Sequence, residues 1–207
     1  MPDLSLEIAC RSRGLRMVAG IDEAGRGPLA GPVAAAAVVL PEGFSCGGLD
    51  DSKKLTAAKR ERLFSELTTD PAVHWALAFA EQEEIDGINI MRATHAEMER
   101  EVGALGVAVD FCLVDGLPVK GFPHPHDGVV KGDGLSLSIA AASIIAKVAR
   151  DRRMMDAAAE FPAYGFERHK GYGTKHHLEA LRRHGPCRIH RRSFQPVAQQ
   201  VLPLDGA

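Results

Sequence analysis

The sequence predicts a single α/β domain built on a mixed sheet. Two strand-like runs come first and strands mixed with helices follow, the order expected of helices packed on a sheet. The 207 residues amount to about one domain, long enough to bury a sizeable core. Hydrophobic residues make up 45% and charged residues 25%, which excludes a mostly disordered or fibrous chain.

Arg16 to Asp22 and Val33 to Leu40 are short, apolar and partly β-branched, and predict two strands. The Gly/Pro-rich Ala24 to Pro32 separates them, so a hairpin is expected to open the fold. Thr56 to Thr68 predicts a helix capped near Thr56, and Val73 to Ala80 a further strand. Glu83 to Leu105 is helical with an interruption at Gly87 to Asn89; Val109 to Val114 is a strand ending at Asp115-Gly116. Val129 to Lys131 predicts a short strand ending near Gly132. Leu135 to Phe161 is the longest helix, its Ala-rich first half buried on most faces and its second half, with Arg150, Asp151, Arg152 and Arg153, reaching solvent. Thr174 to His184 is another helix, stopped by Gly185-Pro186. No internal repeat or low-complexity segment stands out.

The longest apolar runs, Val33 to Leu40 and Ile139 to Ala146, fall short of the ~20 residues that cross a bilayer. Met1 to Gly14 carries Asp3 and Glu7 and fits neither a signal nor a transit peptide. Cys10, Cys46, Cys112 and Cys187 have no paired spacing for zinc or a small disulfide scaffold. A cytoplasmic protein with no membrane contact is expected. Its net charge of -2 hides an asymmetry: residues 1–146 hold 13 Lys and Arg against 21 Asp and Glu, residues 147–193 hold 12 against 5. A basic region beside an acidic one suits a polyanion held near a cation-binding site, although a solvated basic helix surface gives the same count.

In Gly20-Ile21-Asp22-Glu23-Ala24-Gly25-Arg26-Gly27-Pro28, two carboxylates close a strand just before a glycine-rich turn. Adjacent strand residues point to opposite faces, so Asp22 and Glu23 share one site only where the strand ends or bulges. Gly25 to Ala30 also matches the dinucleotide fingerprint G-x-G-x-x-G/A, with Asp50 about 20 residues on, but that motif needs a helix next and a strand follows. Asp115 and Asp133 end two further elements. Hard divalent ions take carboxylate oxygens and need no histidine. A single Asp-Gly is usually a turn, and Asp133 alone reads as a helix cap; the four acids together carry the weight. Asp51-Ser52-Lys53-Lys54-Leu55 and Arg168 to Lys175 add cations and the Tyr172 ring on loops, which fits phosphates and sugars as well as it fits ordinary solvated loops.

The run Gly20 to Val33 closely resembles the opening motif of type 2 ribonuclease H, ribonuclease HII. Asp51 to Leu55, Val114-Asp115-Gly116, Lys131-Gly132-Asp133, Ala140 to Asp151, His169-Lys170-Gly171-Tyr172 and His190-Arg191-Arg192-Ser193-Phe194 match the same family in its order. Gly173 stands where the family commonly has proline, and Cys187-Arg188 where it commonly has Ser-Pro. The resemblance implies a ribonuclease H-like fold with a mixed five-stranded sheet flanked by helices, in one domain with a core of about 16–160 and a basic helical region of about 161–197.

It also implies endonucleolytic cleavage of the RNA strand of RNA–DNA hybrids, and incision at single ribonucleotides in duplex DNA. Asp22, Glu23, Asp115 and Asp133 would hold two Mg²⁺ or Mn²⁺ ions. Gly25, Arg26 and Gly27 would read the 2′-hydroxyl through backbone groups, and Tyr172 would pack on the deoxyribose beyond the cut. Lys53, Lys54, Lys147, Lys170, Arg191 and Arg192 are candidates for phosphate contact or support. A monomer is expected. The tail Gln200-Val201-Leu202-Pro203-Leu204 resembles short peptides that dock on the bacterial sliding clamp, or is simply a frayed terminus. The competing classes are a nucleic-acid-binding module, which would not need four clustered acids, and a nucleotide-dependent oxidoreductase, which would need the fingerprint rejected above.

Overall fold

The computed structural model describes residues 1–201, and of Val201 the backbone only. The strands are β1 (Val18–Ala24), β2 (Val33–Val39), β3 (His74–Ala80), β4 (Phe111–Asp115) and β5 (His126–Val129), and they form one sheet in the order β3-β2-β1-β4-β5. The helices are α1 (Ser5–Ser12), α2 (Ala57–Thr69), α3 (Gln82–Ile88), α4 (Ile90–Ala104), α5 (Leu137–Glu160), α6 (Phe166–His169), α7 (Lys175–His184) and α8 (Gln195–Val201). β1 pairs antiparallel with β2 and parallel with β4, and β4 parallel with β5, so the sheet is mixed.

A helix, not the expected hairpin, opens the fold. α1 has no side-chain cap and is only eight residues long, so no local signal marks it. It is anchored from a distance: Ser136 Oγ, Ser138 N–H and Ser138 Oγ all donate to Glu7 Oε1. β5 begins three residues before the expected strand, because pairing with β4 recruits His126 and Asp127, which have no strand pattern of their own. Gly128 is required there, since a Cβ would lie 2.3 Å from Pro118 N. The short α6, α8 and two 3-10 turns (Ser52–Lys54 and Gly132–Gly134) were not foreseen.

Elsewhere the local chemistry behaves as read. Thr56 caps α2 through Lys59 N–H, and Thr174 caps α7 through His177 N–H. Asn89, at φ 72°, separates α3 from α4, and its side chain accepts from Met91 and Arg92 N–H. The first half of α5 is buried almost throughout, and a Cβ on Gly20 would lie 2.3 Å from Ile139 N, so glycine lets this helix press directly on β1. Arg150 is 1% exposed, which corrects the expectation that it reaches solvent.

The chain forms two compact units. The first comprises Met1–Ala24, Ala34–Phe79 and His95–Val148, the second Gly25–Val33, Ala80–Thr94 and the chain from Ala149 on. In the first, Val18, Phe111 and Leu113 pack with Ile139 on one face of the sheet. Ala19, Ile21, Cys112 and Val114 pack with Met98 and Val102 of α4 and with Leu105 just after it on the other. In the second, Ala30, Met154, Tyr164, Phe166 and Ala180 form a core, with the rings of Tyr164 and Phe166 stacked at 5.4 Å. Each fully buried Ile, Phe or Leu contributes roughly 1.5–3 kcal/mol. Among the described residues no helix is long and apolar enough to cross a membrane.

Candidate active site

The pleat of β1 sorts the acids. Val18, Gly20 and Asp22 belong to the α5 face, Ala19, Ile21 and Glu23 to the α4 face. β4 runs parallel in register, Ile21 beside Val114, so Asp115 shares the α5 face with Asp22. β4 ends there, while β1 continues to Ala24 along β2 with no bulge. Asp22 and Glu23 thus sit neither at the end of β1 nor at a bulge and belong to opposite faces, which corrects the condition the sequence set for a shared site; what brings both to one edge is that the ladder to β4 stops at Ile21 and Val114.

Asp115 Oδ1 accepts from Gly132 N–H at 2.7 Å, which ties β4 to the turn that carries Asp133. That tie needs a glycine: a Cβ on Gly132 would lie 2.6 Å from Ile139 Cδ1. Asp22 and Asp133 are 5% and 6% exposed. Burial, then the charges of Glu23 and Asp115, push the Asp22 carboxyl well above its usual range, against hydrogen bonds from Ser143 and Glu23 N–H. Burial also raises Asp115, joined by Asp133. The carboxylate oxygens of Asp22, Asp115 and Asp133 are hard donors, the chemistry that a divalent cation of the Mg²⁺ or Mn²⁺ kind takes.

The lysine-rich motif adjoins this cluster. Ser52 is buried and bonds Ser143 Oγ at 2.9 Å, the same hydroxyl that bonds Asp22. Lys53 Nζ lies 3.4 Å from Asp133 Oδ2. Burial pulls the Lys53 ammonium down, but Asp133 and Asp22 outweigh it and hold the pKa above its usual value. Lys54 pairs with Asp50. A depression of about 570 Å³ beside Asp133 is lined by Lys53, Lys54 and Lys131. Lys131, at φ 59°, belongs to the Lys131-Gly132-Asp133 match but has no binding role in the sequence reading, where it ends a strand.

In the second unit the glycine-rich loop is laced to two buried arginines. Arg191, fully buried, donates Nε to Gly31 O, Nη1 to Arg26 O and Nη2 to Gly25 O, at 2.9, 2.8 and 2.6 Å. Arg150 donates Nε to Pro32 O and Nη2 to Ala30 O and Lys170 O. Arg191 is thus no phosphate contact; it holds the loop. Burial, with Arg150 second, lowers its pKa to about 9, which still leaves it charged at neutral pH. Gly25 is at φ 95°, and a Cβ on it would lie 1.8 Å from Arg150 Nε. A Cβ on Gly27 would meet only Tyr172 Cε1, at 3.8 Å. Arg26, Gly27 and Arg192 are exposed.

Tyr172 is 46% exposed, with Arg150 6.0 Å from its ring centre. Its carbonyl accepts from His177 Nδ1, which makes His177 Nε2 the acceptor for His190 Nε2–H; His190 Nδ1 in turn accepts from Cys187 N–H. Both imidazoles are neutral in this relay, lowered to about 4 by burial first. Lys170 Nζ reaches Met155 Sδ and the Glu167 carbonyl, and Lys147 is half-buried on α5.

Sequence reasoning missed Glu101 altogether. It lies on α4, fully buried, and burial followed by the charges of Glu23 and Asp22 raises its carboxyl well above the usual range. The apolar stripe Met98, Val102 and Leu105 at helical spacing was the available signal that this side of α4 faces inward.

The family model for ribonuclease HII matches residues 19–197. The ribonuclease HII of Rhodospirillum rubrum is 54% identical over 211 residues, covering 98% of this chain and 95% of that protein. The crystal structure of the ribonuclease H2 from Pyrococcus horikoshii OT3 is similar with a TM-score of 0.73 and 26% identity, over 88% of this chain and 96% of that one. The ribonuclease HII in the PCNA complex from Archaeoglobus fulgidus has a TM-score of 0.67 and 26% identity, over 81% and 87%. With the mixed five-stranded sheet flanked by helices, these matches establish that the chain has the ribonuclease H-like fold and belongs to the ribonuclease HII family.

Proposed function

We propose that the chain is a divalent-metal-dependent endoribonuclease that hydrolyses the RNA strand of RNA–DNA hybrids. The same activity incises at single ribonucleotides embedded in duplex DNA and leaves 5′-phosphate and 3′-hydroxyl ends. The observation that carries this reading is that Asp115 acts on the buried Asp22 and Asp133 on Asp115, bringing acids of β1, the end of β4 and the turn before α5 into one neighbourhood, with Glu23 next in the chain.

Two bound Mg²⁺ or Mn²⁺ ions would supply activation of a water and stabilisation of the leaving 3′-oxygen. Asp22, Glu23, Asp115 and Asp133 would hold them, with Asp22 as the candidate ligand to both, Asp133 on the side of the attacking water and Asp115 on the leaving-group side. Lys53, Lys54 and Lys131 neutralise backbone phosphates beside Asp133. Along the sugar–phosphate backbone RNA differs from DNA only at the 2′-hydroxyl, so sequence-independent recognition acts at the sugar. The backbone of Gly25, Arg26 and Gly27, held by Arg191, reads that hydroxyl. Tyr172 packs on the next sugar and favours a deoxyribose there.

The decisive assay is cleavage of a duplex carrying one ribonucleotide, resolved on a gel with Mg²⁺, Mn²⁺ or chelator. Metal-dependent incision 5′ to that ribonucleotide, leaving it at the 5′ end of the downstream fragment, is expected; no cleavage of it or of a long hybrid with either metal would overturn the reading. The clamp-like tail lies mostly outside the described residues. We propose it as a docking peptide, and pull-down on the sliding clamp with and without residues 199–207 tests it.

A further inference from the structure

Three glutamates among the described residues are essentially fully buried. Glu7 accepts three hydrogen bonds, two from serine hydroxyls, and Glu97 pairs with Arg100. Glu101 has a hydrogen-bond partner on neither oxygen. A carboxyl taken out of water without a partner costs several kcal/mol more than the leucine or methionine that would fill the same space. Its position in the fold is therefore informative.

Glu101 lies three residues after Met98 and one before Val102, on the side of α4 that packs on Ala19 and Ile21 of β1. Two residues beyond Ile21 on the same face of β1 comes Glu23. The two charges that act on the Glu101 carboxyl are Glu23 and Asp22. A buried carboxyl with no hydrogen-bond partner thus lies on the α4 side of β1, near Glu23 and Asp22, while Asp115 belongs to the α5 face.

We propose that Glu101 is a further oxygen donor, directly or through one water, to the divalent cation held at Asp22 and Glu23. It closes the coordination from the α4 face while Asp115 acts from the α5 face. The inference rests on the reading of the acid cluster as a metal site, and the test separates the two.

Calorimetric titration of the full chain with MnCl2, in the absence of nucleic acid, is run on wild type, Glu101→Gln, Glu101→Ala and Asp22→Asn, with thermal melts in chelator alongside. Both Glu101 variants are expected to bind Mn²⁺ about 10-fold more weakly, the size seen when a supporting ligand is removed. They should melt in chelator no lower than wild type, because they lose a repelled, unpartnered carboxyl. Wild-type Mn²⁺ affinity in Glu101→Gln together with lost affinity in Asp22→Asn overturns this inference alone. Wild-type affinity in Asp22→Asn overturns the metal site itself. Glu101→Gln keeps the shape of the side chain, so it decides the matter if the alanine variant does not fold.

Discussion

The two units bury charge of opposite sign. The unit that carries the sheet holds 12 Lys and Arg against 17 Asp and Glu, and its buried Asp22 and Glu101 are pushed toward neutrality. The unit that carries the glycine-rich loop holds 13 against 10, and its buried charges are guanidiniums. Arg191 donates to three loop carbonyls, and Arg150 to those of Pro32, Ala30 and Lys170, with only its Nη1 left without a partner. A buried charge satisfied inside the chain serves the fold. One that repels its neighbours serves a ligand, because only a ligand relieves it.

The sharpest way to break this contrast is to neutralise each side. Asp22→Asn, Asp115→Asn and Asp133→Asn should each lower hydrolysis about a thousandfold, several kcal/mol of transition-state stabilisation. In chelator, Asp22→Asn should melt at or above the wild-type temperature. The sign follows from the raised carboxyl: stability is fully present below the usual aspartate range near 3.8 and is lost as pH rises through the folded-state value. Wild type in chelator should therefore be destabilised between acidic and neutral pH, and Mg²⁺ should reverse that loss. A clear drop in melting temperature for Asp22→Asn without metal would show that the carboxylate serves the fold.

Arg191→Met should do the reverse, costing about 3 kcal/mol by orphaning loop carbonyls while leaving Mn²⁺ affinity unchanged. Its effect on the salt dependence of hybrid binding should be small, since a buried guanidinium releases no counterions. Lys53→Ala or Lys131→Ala should lower the slope by about one. A reduced slope in Arg191→Met with intact stability would restore it as a phosphate contact.

This arginine also shows what the sequence reveals and what it hides. Asp115 was legible as an acid that ends a strand beside a glycine, whereas Asp22 and Glu23 lie inside β1, which runs on to Ala24, so the strand-end logic did not describe them. His190-Arg191-Arg192 reads as one polar strip, yet Arg191 is buried and Arg192 exposed. Only the carbonyls of a loop some 160 residues earlier decide which arginine turns inward. α1 and β5 were missed or shifted for the same reason: Glu7 and His126 are recruited by distant partners, Ser138 and β4, not by local propensity.

The histidine relay gives the second unit a pH window opposite to that of the acids. His177 and His190 are lowered from 6.5 to about 4, so the folded chain binds fewer protons than the unfolded one between those values. Stability from this pair is complete above 6.5 and is lost as pH falls toward 4, by about 1 kcal/mol for each histidine at pH 5.5. Segment-resolved hydrogen exchange in chelator should show α7 losing protection on acidification while β1 and β4 gain it. Parallel loss in all three segments would mean that the windows are not separate.

The smallest expected effect is the most selective, because it asks whether sugar reading belongs to the second unit while cutting belongs to the first. Gly27 is the glycine to change: Gly25→Ala would drive a Cβ into Arg150 and collapse the loop, whereas a Cβ on Gly27 meets only the edge of Tyr172 at 3.8 Å. Gly27→Ala should fold normally and lower cleavage of every ribonucleotide-containing substrate, since the methyl occupies room needed for backbone approach to the 2′-hydroxyl. Tyr172→Ala removes an exposed ring and leaves its backbone bond from His177 in place. It should weaken incision at a single embedded ribonucleotide about 10-fold, the order of one lost stacking contact, and spare a long hybrid more. Mn²⁺ affinity should be unchanged in both variants, because neither touches the acids. If Tyr172→Ala lowers both activities by the same factor, the ring packs the loop and does not read the junction.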